Sequence, residues 1–374
     1  FFERLRAAGI SVIWTDLDAL PDSNRWYADP ARFWGGLLGR WPWGRRWLSR
    51  RLWPNVLNRD GPRLSSAQLG RLLLFKANHR KLIISDDAGG GWHLLVTSLN
   101  PADGGAAHHN TALHVQGALA RAVLHAEWAV ADWSAQRSGQ VLERTPGQAR
   151  RDLTRLRELA GEADGPPPPA GGTAPRATWL TEGAIQGALL ELLEATGPGD
   201  RIRAALFYLS DRQVVRALQA AAQRGATVHV LLDANRDAFG RRKNGVPNRP
   251  VARELMRTQA GRTGRLQVRW AETRGEQMHA KTLLITGPHE TAPRLLLGSA
   301  NWTRRNLDNL NLEANLLIEQ DAAAACAAWF DAVWEDQGAW IRSQPYEALA
   351  VRGWRAVWLT GLYRFQEATG LCTH

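Results

Sequence analysis

Two blocks of this sequence, 200 residues apart, are built to one plan, and any fold the chain adopts has to accommodate both. The first reads His79-Arg80-Lys81, an apolar Leu82-Ile83-Ile84, then Ser85-Asp86 and Thr97-Ser98-Leu99-Asn100. The second reads His279-Ala280-Lys281, an apolar Thr282-Leu283-Leu284-Ile285, then Gly298-Ser299-Ala300-Asn301. Ser98 stands 19 residues after His79, and Ser299 stands 20 after His279. Each block continues into a polar–apolar alternation, around Asn110 in one case and Glu313 in the other. Internal repetition predicts repeated architecture. The apolar runs, bounded by polar or glycine breaks, read as short strands. Residues two apart on a strand leave the same face, so each histidine stands beside its lysine. The serine and asparagine repeat that alternation on a neighbouring strand. A pocket lined this way is cationic and rich in donors, which suits a phosphate.

The doubled pattern resembles the signature of the phospholipase D superfamily, HxK(x)4D followed by GSxN, once in each of two similar halves. His79, Lys81 and Asp86 match the first signature, and Ser98 and Asn100 match its trailing part, with Thr97 where glycine is usual. His279, Lys281, Gly298, Ser299 and Asn301 match the second, which departs at Thr286, where aspartate is usual; that departure is read as structural. The resemblance covers nearly the whole chain apart from a linker and a Trp-rich stretch. It implies an α/β fold: two phospholipase D-like α/β/α sandwich halves related by a pseudo-twofold axis, with a single active site at their interface.

It also implies a mechanism. One histidine attacks phosphorus to form a phosphohistidine, and the other protonates the leaving oxygen and later activates water or an alcohol. Lys81, Lys281, Asn100 and Asn301 hold the non-bridging oxygens, so neither metal nor cofactor is expected. Ser98 and Ser299 support those contacts. Each histidine needs an acceptor to fix its tautomer. Glu313 fills the acidic place in the second half and is expected to serve His279; Asn110 fills the matching place in the first and is expected to serve His79. A carboxylate favours imidazolium, whereas an amide leaves the ring neutral. On that basis His79 is expected to be the nucleophile and His279 the general acid. His108, His109 and His114 are read as non-catalytic, and Trp302 as a pocket wall or a core residue.

The net charge of +11 points to anionic partners, and 44% hydrophobic residues over 374 positions suffice for two cores. Cys326 and Cys372 have neither disulfide-framework nor metal-site spacing. No apolar run reaches membrane-spanning length. Residues 31–54 interleave Trp34, Trp41, Trp43, Trp47 and Trp53 with six arginines, a mixture that fits docking at a bilayer interface. It would also fit single-stranded nucleic acid or a locally packed loop.

Three regions are expected: a first half over 1–145 carrying that insertion, a linker over 146–177 marked by Pro-Pro-Pro-Pro, and a second half over 178–374. A helix end at 1–9 running into a strand at 10–14 predicts that the first half begins in mid-domain, with further elements and any anchoring segment before Phe1. The helix expected over 118–135 packs on the first sheet. In the second half, helices over 183–195 and 211–225 alternate with strands over 202–209 and 227–232. The stretch 233–249 follows a strand's carboxyl end, and its Arg236, Arg241, Arg242 and Lys243 are expected to line the substrate entrance.

The functional expectation is a metal-independent phosphodiesterase acting on phospholipids, by hydrolysis or by phosphatidyl transfer as cardiolipin synthases do. The alternatives are a nuclease of the same superfamily and a non-catalytic binder of anionic lipid; the intact His/Lys/Asn sets argue against the last. The expected partner is an anionic or zwitterionic phospholipid membrane surface, with nucleic acid second and no obligate protein partner. The expected location is peripheral, at a bacterial inner membrane or in the cytoplasm.

Overall fold

The second repeated block forms the middle of a large mixed sheet. In the computed structural model, which describes residues 2–22, 25–55, 62–101, 103–161, 176–235, 237–238, 241–258, 265–288, 293–319, 322–338 and 341–370, eight strands lie side by side. Their order is Arg342–Pro345, Leu266–Glu272, Thr227–Leu232, Arg201–Leu206, Lys281–Thr286, Arg294–Gly298, Ala314–Glu319 and Arg176–Thr181. The 266–272, 227–232 and 201–206 strands run parallel, and every other neighbouring pair is antiparallel. Parallel neighbours require crossovers. Helices Arg212–Arg224 and Asn248–Thr258 supply them. The first of these starts at Asp211, whose side chain accepts from the Gln213 and Val214 amides, and stops at left-handed Gly225. Its Val214, Val215, Leu218 and Ala221 pack into the main core with Ile185, Leu206, Val230 and Trp302. Trp302 is therefore a core residue. Phe330 and Val333 of helix Ala322–Trp334 belong to a separate cluster with Ala205, Leu231 and Ala280.

The first block makes a three-stranded antiparallel meander, Leu82–Asp86, Trp92–Thr97 and Ala112–Gln116, packed against helix Ala118–Ser138. The strand expected near the start is confined to Val12–Ile13, which pairs with Val141–Leu142. The meander and the large sheet share cores. Leu94, Val96, Ala120 and Val123 cluster with Leu316 and Ile318, and Leu113 packs on Leu284, Leu295 and Leu297. Arg80 adds a polar clamp, bonding Glu127 of the first half at 2.6 Å and Glu182 of the second at 2.7 Å.

One stretch differs from its sequence reading, and a second takes a form that the sequence does not specify. Within the expected linker, Gln148–Ala160 form a helix, because Ala149, Leu153 and Ala160 fall on one buried face. Trp128 Nε1 and Arg121 Nε tie that helix to Ala118–Ser138 by donating to the Leu153 and Ala160 carbonyls. The Pro-Pro-Pro-Pro segment lies outside the described residues. The Trp/Arg stretch forms two helices, Arg25–Gly39 and Pro42–Ser49.

Candidate active site

The two blocks meet through a duplicated set of backbone hydrogen bonds. The Leu312 amide donates to the Ala77 carbonyl at 3.0 Å, and the His79 amide donates to the Leu312 carbonyl at 2.8 Å. The same pattern joins the other pair: the His109 amide donates to Gln277 and the His279 amide to His109, both at 2.9 Å. Each His-x-Lys segment thus pairs in parallel with a segment of the opposite half, at Asn78–Leu312 and His109–Met278.

This stitching corrects the expected partners. Glu313, one residue past Leu312, receives the Nδ1 of His79, at 3.0 Å to one oxygen and 2.9 Å to the other. Asn110, one residue past His109, receives the Nδ1 of His279 at 3.2 Å. The orienting groups are exchanged between the halves because the bridge before each of them is made to the other half. Asn110 is fixed in orientation, since its amide nitrogen donates to the Gly105 and His108 carbonyls, both at 2.9 Å. Its oxygen can only accept, so His279 carries its proton on Nδ1.

The serines brace the orienting groups. Ser299 Oγ donates to Glu313 at 2.5 Å and accepts the Ala314 amide at 3.0 Å. Ser98 Oγ donates to the Asn110 oxygen at 3.3 Å and accepts the Thr111 amide at 3.0 Å. Lys81 and Lys281 both donate back to the carbonyl of their own block's histidine, at 2.7 and 2.6 Å. Asn301 is buried, and its side-chain oxygen meets no partner among the described residues; Asn100 is half-buried. Asp86 stands exposed at the end of its strand. Thr286, in the corresponding place, accepts from Arg203, whose charge is met by Asp331.

Burial sets the electrostatics. It pushes Lys81 down to about 8 and Lys281 well below its ordinary value, the latter with help from the Lys81 charge. Burial, then Lys281 and Lys81, also hold His279 far below an ordinary histidine. His79 is lowered by burial too, against the pull of Glu313 upward. For Glu313 itself, burial opposes the charge, but the attraction of His79 and the bonds from His79 and Ser299 outweigh it and keep the carboxyl below its usual range.

Several contributors escaped the sequence reading. Asn306 donates to Glu313, and the Glu313 amide donates to Glu182 at 3.0 Å. Asp233 accepts the Met278 amide at 2.8 Å, beside His279 in the chain, and burial raises its carboxyl to about 6. Phe207 packs its ring 4.8 Å from that of His279 and lies 5.1 Å from Lys281 Nζ. Of these, Asn306 carried a sequence signal in its place within the polar run before Glu313, and Asp233 opens the stretch expected to line the substrate entrance. In the 233–249 stretch, Lys243 donates to the Tyr208 hydroxyl. Arg236 lies outside the described residues, as do the side chains of Arg241 and Arg242. Among the described residues, no group of three or more His, Cys, Asp or Glu side chains is placed to hold a metal ion.

Comparison with known proteins adds the following. The family model described as "Cardiolipin synthase, PLD-like domain" matches residues 189–334. The solved phosphatidylserine synthase of Haemophilus influenzae Rd KW20 is 12% identical with a TM-score of 0.52, over 92% of this chain and 76% of its own. Nuc from Salmonella typhimurium, a phospholipase D family member, is 16% identical with a TM-score of 0.35, over 46% of this chain and 99% of its own. No curated protein matches the sequence.

Proposed function

We propose that this chain, which belongs to the phospholipase D superfamily, is a phosphodiesterase that acts on phospholipids through a phosphohistidine, by hydrolysis or by phosphatidyl transfer to an alcohol. The observation that carries the chemistry is the crossed pairing of His79 with Glu313 and His279 with Asn110, with a buried lysine in each block. Held by Nδ1, each neutral ring keeps its Nε2 lone pair for reaction. The phosphate of a diester sits between Lys81 and Lys281, with Asn100 and Asn301 on its non-bridging oxygens.

His79 Nε2 attacks phosphorus while the bond to the leaving alcohol breaks, and protonated His279 delivers its proton to that oxygen. Neutral His279 then takes a proton from water or an acceptor alcohol, whose oxygen attacks phosphorus as the P–N bond breaks. The crossed partners give His79 the nucleophile's role for a different reason from the one expected. Phosphorylation at Nε2 makes the ring cationic, and Glu313 stabilises that charge as a carboxylate stabilises an imidazolium in a catalytic triad. His279, strongly depressed in the free site, becomes loaded when the anionic diester offsets the lysines, and then gives its proton up readily. The lipid reading is supported by the matched domain's description and by a fold likeness, spanning both halves, to a phosphatidylserine synthase. Among the described residues no helix is long and apolar enough to cross a membrane.

The test uses vesicles of phosphatidylglycerol and phosphatidylethanolamine with EDTA present, product analysis by mass spectrometry, and plasmid DNA in parallel. Phosphatidic acid or cardiolipin that vanishes in His79→Ala is the expected result. Cleaved DNA beside untouched lipid would replace the reading with a nuclease. With a diester bearing an activated leaving group, His279→Ala should accumulate a covalent adduct and His79→Ala should not; the reverse pattern would exchange the two roles.

A further inference from the structure

The two helices of the Trp/Arg stretch face their apolar residues outward. Between Trp26 and Trp53 the chain places six of its 18 tryptophans, and between Arg25 and Asn55 it places seven arginines and a single acid, Asp29. On helix Arg25–Gly39, Trp26, Phe33 and Leu37 recur at positions that share a face, and their exposures are 91%, 65% and 37%. Ala28, on the opposite side, is buried. On helix Pro42–Ser49, Trp43 and Trp47 sit one turn apart and are exposed, with Arg46 and Arg50 beside them. The buried position there is Gly44, where a Cβ would run into the Leu38 carbonyl, so the two helices are packed against each other. A surface helix of a globular protein ordinarily turns its apolar stripe inward. Here both stripes point to solvent, and an exposed apolar surface of this kind marks an interaction site.

We propose that this helical pair is a docking surface for an anionic phospholipid bilayer, lying in the interface with its indoles at headgroup level and its guanidinium groups on lipid phosphates. Charge selects the occupant. A second copy would set seven arginines against seven, with one aspartate on each side to offset them. Nucleic acid would satisfy the charge and the rings, but Leu37 and Leu52 are also exposed, and aliphatic side chains gain from acyl chains rather than from stacked bases. The surface is joined to the chemistry by a short path. Trp53 forms a two-way backbone bridge with Leu64, and helix Ser66–Leu73, capped by Ser65, ends six residues before His79. The phospholipid reading above is used only for what docking serves.

Binding is therefore read without turnover, on the full chain carrying His79→Ala. Sedimentation with sucrose-loaded vesicles compares phosphatidylcholine alone with phosphatidylcholine containing 30% phosphatidylglycerol, as a roughly physiological anionic load. Binding only to the anionic vesicles, weakening as salt rises, is expected. Trp43→Ser/Trp47→Ser should weaken it by at least about tenfold. Arg45→Gln/Arg46→Gln should weaken it by roughly 25-fold, about fivefold for each charge. Restored to His79, both variants should melt as the parent does and cleave a soluble activated diester at the parent's rate, which separates loss of docking from loss of folding or chemistry. Docking by a protein that leaves lipid uncleaved would overturn the function and keep this surface. Failure to bind anionic vesicles, unchanged binding in both variants, preference for a single-stranded oligonucleotide, or a dimer that the tryptophan variant dissolves would each overturn the proposal.

Discussion

Glu313→Gln isolates the charge beneath His79. Three donors converge on the carboxylate: His79 Nδ1, Ser299 Oγ and Asn306 Nδ2. Glutamine can keep its oxygen toward His79 and Asn306 if its NH2 turns to Ser299, whose hydroxyl then reverses to accept. The tautomer of His79 survives that change, and what disappears is the negative charge. At a separation of about 4 Å and an effective dielectric near 20, a carboxylate steadies a cationic ring by about 4 kcal/mol. Resting His79 is held down by burial and is largely neutral, so this attraction grows only as the P–N bond forms. Adduct formation should therefore slow by about 10²–10³-fold, with KM changed far less. Single-turnover mixing with a diester bearing an activated leaving group measures that step directly, and urea unfolding verifies that the variant is folded. Asn110→Ala is the control: it removes an amide acceptor from His279, whose proton an activated leaving group scarcely needs, and should slow the same step less than about tenfold. Glu313→Gln within tenfold of the parent, or Asn110→Ala equally damaging, would refute the assignment of the charge to the nucleophile.

Three further outcomes follow from individual contacts. Lys81, pushed down by burial to about 8, can hold a phosphate only while charged, so kcat/KM should fall as pH rises through that value. Bound phosphate raises the same group, which moves the limb in kcat upward, and Lys81→Arg should remove the limb; a flat profile to pH 10 in the parent would contradict this. Gly298→Ala places a Cβ against the Ala314 carbonyl and 2.6 Å from the Asn315 Cα, both backbone, and should cost about 1–3 kcal/mol in urea unfolding while loosening Ser299 from Glu313; unchanged stability would show that the strand yields freely. Arg80→Met leaves Glu127 and Glu182 facing each other without their shared guanidinium and should cost about 3–5 kcal/mol, and a loss below about 1 kcal/mol would mean that the halves are held by their shared core alone.

The repeated blocks were legible because a His-x-Lys strand followed by a Ser-x-Asn strand fixes its own register, and both strand pairs form where the pattern places them. Their surroundings were not. Leu82-Ile83-Ile84 and Leu283-Leu284-Ile285 look alike, yet the second run is buried in mid-sheet while Ile83 is 63% exposed on the outer strand of the meander. An apolar run specifies a strand but not how many layers cover it. Helix Gln148–Ala160 was hidden by its charge, since four arginines and two acids surround the Ala149–Leu153 pair in QARRDLTRLRELA and mask its spacing. Arg80 read as the variable letter of a motif, although it joins the halves.

The exchange of Glu313 and Asn110 was the least legible feature, because it depends on which half each orienting strand bridges, and no spacing within a half encodes that. The same logic accounts for the signature's aspartate. Asp86 ends an outer strand and stands exposed, whereas at Thr286 the neighbouring Arg203 is buried and needs a carboxylate. Helix Ala322–Trp334 delivers one, Asp331, at 2.8 and 2.7 Å, and Thr286 needs only to accept the guanidinium's remaining bond at 3.0 Å. The acid lost from the motif is therefore supplied from the helix packed across that strand, which is why the second block keeps its place in the sheet without it.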